Sequence, residues 1–154
     1  MRTRYGTAGV GLVAAVTVGA AIASSQSVNP RIGTWKLKQT APSPASNIMT
    51  YEAVAGGGMK VTVDSVNASG NPGHWTYTTL LDGKDAPITG YSADTAAVTQ
   101  IDAATNEIVY KKDGKITQTA TNVISADGKT ITVTFKRTNA QGQPATSVAV
   151  YEKQ

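Results

Sequence analysis

Residues 59–64 read MKVTVD, in which apolar and polar side chains alternate at every position. The same alternation occurs in residues 131–136, which read ITVTFK, and in residues 35–38, which read WKLK. Successive side chains of a β-strand point to opposite faces, so a period of two predicts strands with one buried face. No window after Val28 shows the 3.6-residue apolar period of an amphipathic helix. We therefore predict an all-β fold.

Asp-Gly-Lys triplets separate several of these segments, at residues 82–84, 113–115 and 127–129. Asp and Gly tolerate the positive φ angles of two-residue hairpin turns, so each triplet predicts a hairpin. The strands that we predict between the turns lie at 32–39, 47–55, 58–66, 74–81, 86–90, 95–101, 106–112, 115–124, 129–138 and 145–152. Short connections favour an antiparallel meander, and closure removes exposed edges. We predict a closed barrel of about 8–10 strands, with a β-sandwich as the alternative.

The amino-terminal segment has the pattern of an export signal. Arg2 and Arg4 precede an uncharged apolar stretch at residues 7–22, and residues 21–23 read AIA, the small-x-small pattern of a cleavage site. The stretch is shorter than the roughly 20 residues of a transmembrane helix, and an uncleaved anchor is the alternative. We predict a signal peptide at 1–23, a linker at 24–31 and a β-barrel domain at 32–154. The expected location is secreted or periplasmic, without stable membrane insertion after cleavage.

Composition excludes several classes of function. The chain has 154 residues, no cysteine and a single histidine, His74. This length suits one domain, the lack of cysteine excludes thiol and disulfide chemistry, and one histidine excludes metal motifs that need two. Loss of Arg2 and Arg4 with the signal peptide would halve the net charge of +4, and no basic stripe remains for nucleic acid. We expect no metal, no cofactor and no nucleic-acid partner.

The two ends of the predicted barrel domain carry a family resemblance. Residues 33–35 read GTW at the start of the first strand, and residues 150–153 read VYEK in the last. This Gly-x-Trp opening resembles that of the calycins, the group of lipocalins and fatty-acid-binding proteins. The resemblance implies a lipocalin-like barrel in which Trp35 closes one end and Arg137 lies over its ring. The opening, the His-Trp pair at 74–75 and the repeated turns also resemble exported bacterial lipocalin-like proteins.

Two departures from the fatty-acid-binding proteins bear on the ligand. Residues 39–47 are too few for the two lid helices that those proteins insert after the first strand. Their last strand also carries an Arg-x-Tyr pair that grips a carboxylate; Tyr151 matches the Tyr, but Ala149 stands at the Arg position. We therefore expect neutral ligands to be preferred over long-chain carboxylates.

These observations favour a non-enzymatic binding protein that holds a small, mainly apolar molecule inside the barrel. The inward faces are poor in large side chains, so a wide barrel should keep a cavity. The expected ligand-binding residues are Leu37, Met59, Val61, Val63, Trp75, Tyr77, Tyr110, Val133, Phe135 and Tyr151. We expect rim contacts from the acidic loop at 82–90. The alternatives are a structural or envelope-interaction protein without a ligand and, more distantly, a hydrolase that uses His74.

The export signal gives a testable prediction. Bacterial expression of the full chain should release a product that begins at Ser24, because cleavage follows Ala23, and intact-mass measurement of the secreted or periplasmic fraction checks this. Ala23→Leu removes the small residue and should leave the uncleaved form. A wild-type product that keeps Met1 and sediments with membranes would support the anchor alternative.

Overall fold

The computed structural model describes residues 29–38 and 45–154. The predicted signal peptide and the linker up to residue 28 lie outside the described residues. In the described part, no helix is long and apolar enough to cross a membrane. These residues form a short 3₁₀ turn at Ala55–Gly57 and ten strands. The strands are β1 (Gly33–Leu37), β2 (Ser46–Ala53), β3 (Met59–Val66), β4 (Pro72–Thr79), β5 (Asp82–Pro87), β6 (Thr95–Gln100), β7 (Thr105–Lys112), β8 (Lys115–Ile124), β9 (Thr130–Thr138) and β10 (Pro144–Lys153).

All ten strands belong to one antiparallel sheet, in the order β4-β3-β2-β1-β10-β9-β8-β7-β6-β5. The first and last strands pair along the sheet, with Trp35 opposite Lys153. The two outer strands, β4 and β5, come together at a bridge in which the N–H groups of Thr76 and Thr89 each donate to the other residue's carbonyl at 3.0 Å. The predicted meander is confirmed as a nearly closed barrel, and a two-sheet sandwich is excluded.

The alternating pattern of the sequence matches the two faces of the barrel wall. Met59, Val61 and Val63 are buried inside β3, while Lys60 is exposed on the outer face. Ile131, at the start of β9, is fully buried by the same alternation. The inward residues of the strands form one continuous apolar core. The apolar–polar alternation of the sequence therefore supplies the apolar surface that is buried when the sheet closes.

Two of the three predicted Asp-Gly-Lys hairpins are confirmed. Asp113 (φ 50°) and Gly114 (φ 73°) occupy the left-handed region between β7 and β8, as a type I′ turn requires. The triplet at residues 127–129 lies in the connection between β8 and β9, and its Gly128 also has a positive φ, of 70°. These short turns force sequence neighbours to pair, which explains why the whole sheet follows chain order.

The triplet at residues 82–84 is not a turn, because it lies within β5. The predicted start of this strand at residue 86 is therefore wrong. The chain turns earlier, at Leu81 (φ 63°), whose N–H donates to Thr79 Oγ1 at 3.0 Å. Gly83 (φ 75°) lies at a shift of register between Asp82 and Asp85 in the pairing of β5 with β6. A positive-φ glycine serves a bulge as well as a turn, and the local sequence does not distinguish them.

Trp35 closes one end of the barrel but not with the expected partner. Its ring is fully buried, its Nε1 donates to the Arg31 carbonyl at 2.8 Å, and the Lys153 ammonium lies 5.0 Å from the ring centroid. Arg137, which the resemblance placed over this ring, lies near the opposite end of β9, beside Ala145. Because β9 begins at the closed end, its last residues point away from Trp35, and the Arg137 prediction is wrong.

A buried guanidinium completes the closed end. Arg31, which the sequence division assigned to the linker, has no exposed surface. Its Nη2 donates to the carbonyls of Ala104 (2.5 Å) and Asn122 (3.1 Å), and its Nη1 reaches that of Ala103 at 3.5 Å. Burial lowers the pKa of Arg31, and the nearby Asp102 carboxylate acts in the opposite direction. Arg31 therefore ties the segment before β1 to the opposite wall.

Replacement of Arg31 tests this closure. Arg31→Met should lower the free energy of unfolding by about 2–4 kcal/mol, because it leaves buried carbonyls without donors. Urea denaturation measures the change. Arg137→Met is the matched control: Arg137 is exposed, and its replacement should stay within about 0.5 kcal/mol of wild type. A larger loss at Arg137 than at Arg31 would contradict this account of the closed end.

Candidate functional site

The barrel encloses a cavity of about 160 Å³ between its opposite walls. The cavity is bounded by β2, β3 and β4 on one side and by β7 to β10 on the other. Its lining residues are Asn47, Met49, Tyr51, Val61, Val63, Trp75, Tyr77, Tyr91, Ile108, Tyr110, Asn122, Val133, Phe135 and Tyr151. Among these described residues none carries a formal charge at neutral pH, so the wall is aromatic and aliphatic with a few uncharged polar groups.

Most of the residues that the sequence analysis selected for ligand binding meet at this cavity. They are Val61, Val63, Trp75, Tyr77, Tyr110, Val133, Phe135 and Tyr151. Met59 is buried in the core as well, with 2% of its surface exposed, but it does not line the cavity. Leu37 also lies elsewhere, in a surface groove with Val66 and Ala149. The structure thus shows which side chains face the cavity, and their contact with a ligand stays a prediction.

Sequence reasoning missed six of the lining residues: Asn47, Met49, Tyr51, Tyr91, Ile108 and Asn122. A usable signal existed for three of them. Asn47, Met49 and Tyr51 alternate along β2, and Met49 and Tyr51 pair with Val63 and Val61 in the register of the sheet. Tyr91 offered no such signal because it lies in a loop, where periodicity carries no information about direction.

Tyr91 reaches the cavity because the loop between β5 and β6 is fixed against β4. Beyond the Thr76–Thr89 bridge, Gly90 approaches the His74 carbonyl so closely that a Cβ would not fit. The Tyr91 ring then lies 4.9 Å from the Trp75 ring, between centroids. None of residues 82–90 lines the cavity, and the rim contacts expected from this segment stay a prediction.

A row of aromatic rings therefore crosses the open end of the cavity. Tyr91 also lies 5.6 Å from Tyr110, and Trp75 is nearly parallel to Tyr77, with 6.0 Å between ring centroids. Trp75 and Tyr91 keep part of their surface exposed, whereas Tyr77 and Tyr110 are buried. The row leads from solvent into the cavity and presents flat π faces along the way.

The carboxylates near this loop are bound to lysines on the surface. Lys112 and the Asp113 N–H both donate to Asp94, and the Asp113 N–H is the larger cause of its lowered pKa. Asp82 pairs with Lys84, which lowers the Asp82 pKa, and Asp85 pairs with Lys111 at 2.8 Å. Each carboxylate has its own lysine, so these groups are not arranged as an acid–base pair facing the cavity.

His74 lies on the outer surface of β4, away from the cavity. Its Nδ1 is 2.6 Å from the Asp64 carboxylate on β3, and both side chains are more than half exposed. The strand alternation explains this position, because Trp75 next to it points inward. The His74–Asp64 pair is therefore a cross-strand surface pair outside the candidate site.

The inner end of the cavity carries a short hydrogen-bonded chain. Asn122 Nδ2 donates to the Tyr51 hydroxyl at 3.0 Å, and that hydroxyl donates to Met49 Sδ at 3.0 Å. Near the other end, the Tyr151 hydroxyl donates to Asn47 Oδ1 at 3.3 Å. Every polar group of this wall is uncharged, so it can orient a ligand without an ion pair.

Burial changes the acidity of the cavity tyrosines. It raises the pKa of Tyr51, Tyr77 and Tyr110 far above the ordinary value of 10.0, and that of Tyr151 to about 12. Neighbouring tyrosine hydroxyls raise the pKa of Tyr110 further, whereas the hydrogen bond from Asn122 opposes the rise at Tyr51. These four tyrosines therefore stay neutral at physiological pH.

This barrel is similar to solved structures of the fluorescent protein UnaG. The wild-type structure has a TM-score of 0.54 and 15% sequence identity, covering 80% of this chain and 96% of UnaG. A mutant with one asparagine replaced by alanine gives a TM-score of 0.56 at 15% identity, covering 81% of this chain and 96% of that one. No protein-family model and no curated protein matches the sequence. The likeness shows the fold alone.

The buried tyrosines predict a pH dependence of stability. In the unfolded chain they ionise near pH 10, whereas the folded state holds their protons to higher pH. The free energy of unfolding should therefore be steady up to about pH 9. Above pH 10 it should fall by up to about 1.4 kcal/mol per pH unit for each such tyrosine. Urea denaturation between pH 8 and 11.5, for wild type and Tyr77→Phe, measures the slope.

Tyr77→Phe removes one titrating group. The fall of the unfolding free energy above pH 10 should therefore be shallower by up to about 1.4 kcal/mol per pH unit, the contribution of one tyrosine. Lys84 and Lys112 also have raised pKa values and add to the slope, but equally in both proteins. The difference between the two curves therefore isolates Tyr77. Identical slopes above pH 10 would show that Tyr77 ionises normally in the folded state.

Proposed function

We propose that this protein is a non-catalytic binding protein that holds a small, uncharged, mainly apolar molecule in the barrel cavity. The observation that carries the proposal is the cavity itself, walled by aromatic and aliphatic side chains from opposite sides of the barrel. Concave, largely apolar sites with a few fixed polar groups are typical of small-molecule binding. The walls belong to a continuous sheet, so the site exists before the ligand enters.

Charge favours a neutral ligand. None of the described side chains around the cavity is cationic, and the Arg31 guanidinium at the closed end already donates to three backbone carbonyls. Ala149, which stands where fatty-acid-binding proteins carry an arginine, does not line the cavity. A buried carboxylate would therefore lose its hydration without gaining a cationic partner.

The cavity also bears on the alternatives. A purely structural or envelope-interaction protein would need no internal space, and unfilled volume costs stability, so a retained cavity favours binding. The hydrolase alternative depends on His74, which is exposed on the outer face beside Asp64. These observations support binding in the interior over both alternatives.

We also propose that the protein is exported, to the periplasm or the medium. The amino-terminal pattern, with Arg2 and Arg4 before an apolar stretch and a cleavage motif at 21–23, supports this. The resemblance to exported bacterial lipocalin-like proteins, in the opening at 33–35 and the repeated Asp-Gly-Lys turns, points the same way. A binding protein in this location would meet its ligand outside the cytoplasm.

Calorimetric titration with benzyl alcohol and with benzoate tests the proposed site. Both probes carry one aromatic ring, which suits a cavity of about 160 Å³. Benzyl alcohol should bind about tenfold or more tightly than benzoate, because the carboxylate must be desolvated without a cationic partner. Native mass spectrometry of protein purified from its own host then identifies the natural occupant.

A cavity-filling variant locates the binding. Val133→Phe places a ring in the cavity and should reduce benzyl alcohol binding at least tenfold. Val148→Phe, at a neighbouring position of β10 with 61% of its surface exposed, is the control and should bind as wild type does. If benzyl alcohol does not bind, or binds Val133→Phe normally, the interior is not the site.

A further inference from the structure

Two buried hydroxyl groups on the cavity wall have no hydrogen-bond partner in the described protein. They belong to Tyr77 on β4 and Tyr110 on β7, which both line the cavity and are 6% and 5% exposed. Neither hydroxyl makes a hydrogen bond with any described residue. The hydroxyls of Tyr51 and Tyr151, in contrast, each donate to a neighbouring side chain. Tyr77 and Tyr110 therefore carry the free donors of this wall.

Both free hydroxyls open into the cavity. In the described part of the chain, Asn122 Oδ1 is the one buried side-chain oxygen or nitrogen that lacks both a partner and accessible surface. The Tyr77 and Tyr110 hydroxyls also lack a partner, so each of their oxygens keeps accessible surface. Both side chains lie on the inner face of the wall, where Tyr77 alternates with the exposed Thr78, and this surface therefore borders the cavity.

Both hydroxyls keep their hydrogen at physiological pH. Burial raises the pKa of Tyr77 and Tyr110 above the ordinary value, and the nearby Tyr110 hydroxyl raises the pKa of Tyr77 further. A phenol gives its hydrogen more readily than it accepts one, because the ring delocalises the lone pair of the oxygen. The cavity thus holds one free donor on each of its two sides.

A pair of free donors selects for a ligand that carries an acceptor. Water in the cavity can accept both hydrogen bonds, so a ligand that displaces this water must replace them or lose affinity. A buried O–H group that is left without an acceptor destabilises the complex. A carbonyl oxygen suits the two donors, because it is uncharged and has two lone pairs. A carboxylate also accepts, but no cation on the described wall offsets its loss of hydration.

The rings and the volume of the cavity limit the rest of the ligand. The Trp75 and Tyr77 rings lie within 6° of parallel, and flat faces of this kind pack well against a planar ring. An apolar cavity of about 150 Å³ takes up benzene, so a volume of about 160 Å³ suits a molecule with one ring and a short substituent.

We propose that the ligand is a small, uncharged carbonyl compound with a planar ring, and that the Tyr77 and Tyr110 hydroxyls donate to its oxygen. This proposal rests on the proposed function, since it assumes that the cavity binds a ligand. It adds the chemical class of the ligand, and it assigns to the two tyrosines the selection of molecules that carry an acceptor.

Acetophenone and α-methylstyrene form a matched probe pair, because they have nearly the same shape and differ by C=O against C=CH₂. α-Methylstyrene is the more apolar probe, so each affinity is compared between protein variants and not between the probes. In calorimetric titration, Tyr77→Phe and Tyr110→Phe should each weaken acetophenone binding about five- to tenfold, because one hydrogen bond is lost. Binding of α-methylstyrene should not weaken, because this probe accepts no hydrogen bond.

Thr78→Val is the matched control. It removes a hydroxyl from the same strand as Tyr77, but Thr78 is exposed on the outer face and does not line the cavity. Both affinities should stay within about twofold of the wild-type values. Thermal unfolding at neutral pH should also place Tyr77→Phe and Tyr110→Phe close to wild type, because neither hydroxyl makes a hydrogen bond within the described protein.

Infrared spectroscopy observes the proposed hydrogen bonds directly. The C=O stretch of acetophenone bound to wild type should lie below its frequency in hexane. In the double variant Tyr77→Phe/Tyr110→Phe it should move back toward the hexane value, because both donors are gone. An unchanged frequency in the double variant would overturn the assignment of the two tyrosines.

The outcomes separate this proposal from the one beneath it. If wild type binds neither probe and also fails to bind benzyl alcohol, the interior is not a binding site and the proposed function fails. If wild type binds any of these probes but the two phenylalanine variants do not weaken acetophenone selectively, the proposed function stands and the tyrosines select no acceptor. An equal loss for both probes shows a change of cavity shape and overturns the assignment. A selective loss in only one variant overturns the arrangement of two donors.

Discussion

The barrel depends on the bridge between Thr76 and Thr89, because it is the point at which the two outer strands of the sheet meet. Nine of the ten possible strand contacts follow from chain order and from the pairing of β1 with β10. The tenth, between β4 and β5, is replaced by one pair of hydrogen bonds from the loop after β5. Without that bridge a single sheet would retain two open edges and an exposed apolar face.

The same bridge also organises the site. It brings Gly90 against the His74 carbonyl and so places Tyr91 on the Trp75 ring, at the open end of the cavity. At the other end, Trp35 and the buried Arg31 guanidinium close the barrel. Between these two closures the walls are too far apart for their side chains to fill, and the cavity is what remains. The binding proposal is therefore a consequence of how the sheet closes.

Much of the wall could be predicted from alternation alone, as Val61, Val63, Trp75, Tyr77 and Val133 show. Alternation gives the face of a side chain but not its height along the barrel, and for this reason Met59 was expected at the cavity but is buried elsewhere in the core. The same limitation affected the arginine expected over Trp35. Arg137 lies on β9, as expected, but the direction of this strand places it at the end of the barrel opposite Trp35.

The sequence by itself determined the all-β fold, the chain-order pairing and the two hairpins at 113–115 and 127–129, because these depend on local periodicity and turn conformation. Only the tertiary structure decided that residues 82–84 form a strand, that Arg31 is buried, and that Tyr91 and Asn122 meet at one cavity. Those features depend on contacts between segments far apart in the chain. Such contacts are set by the register and closure of the whole sheet, which no local pattern encodes.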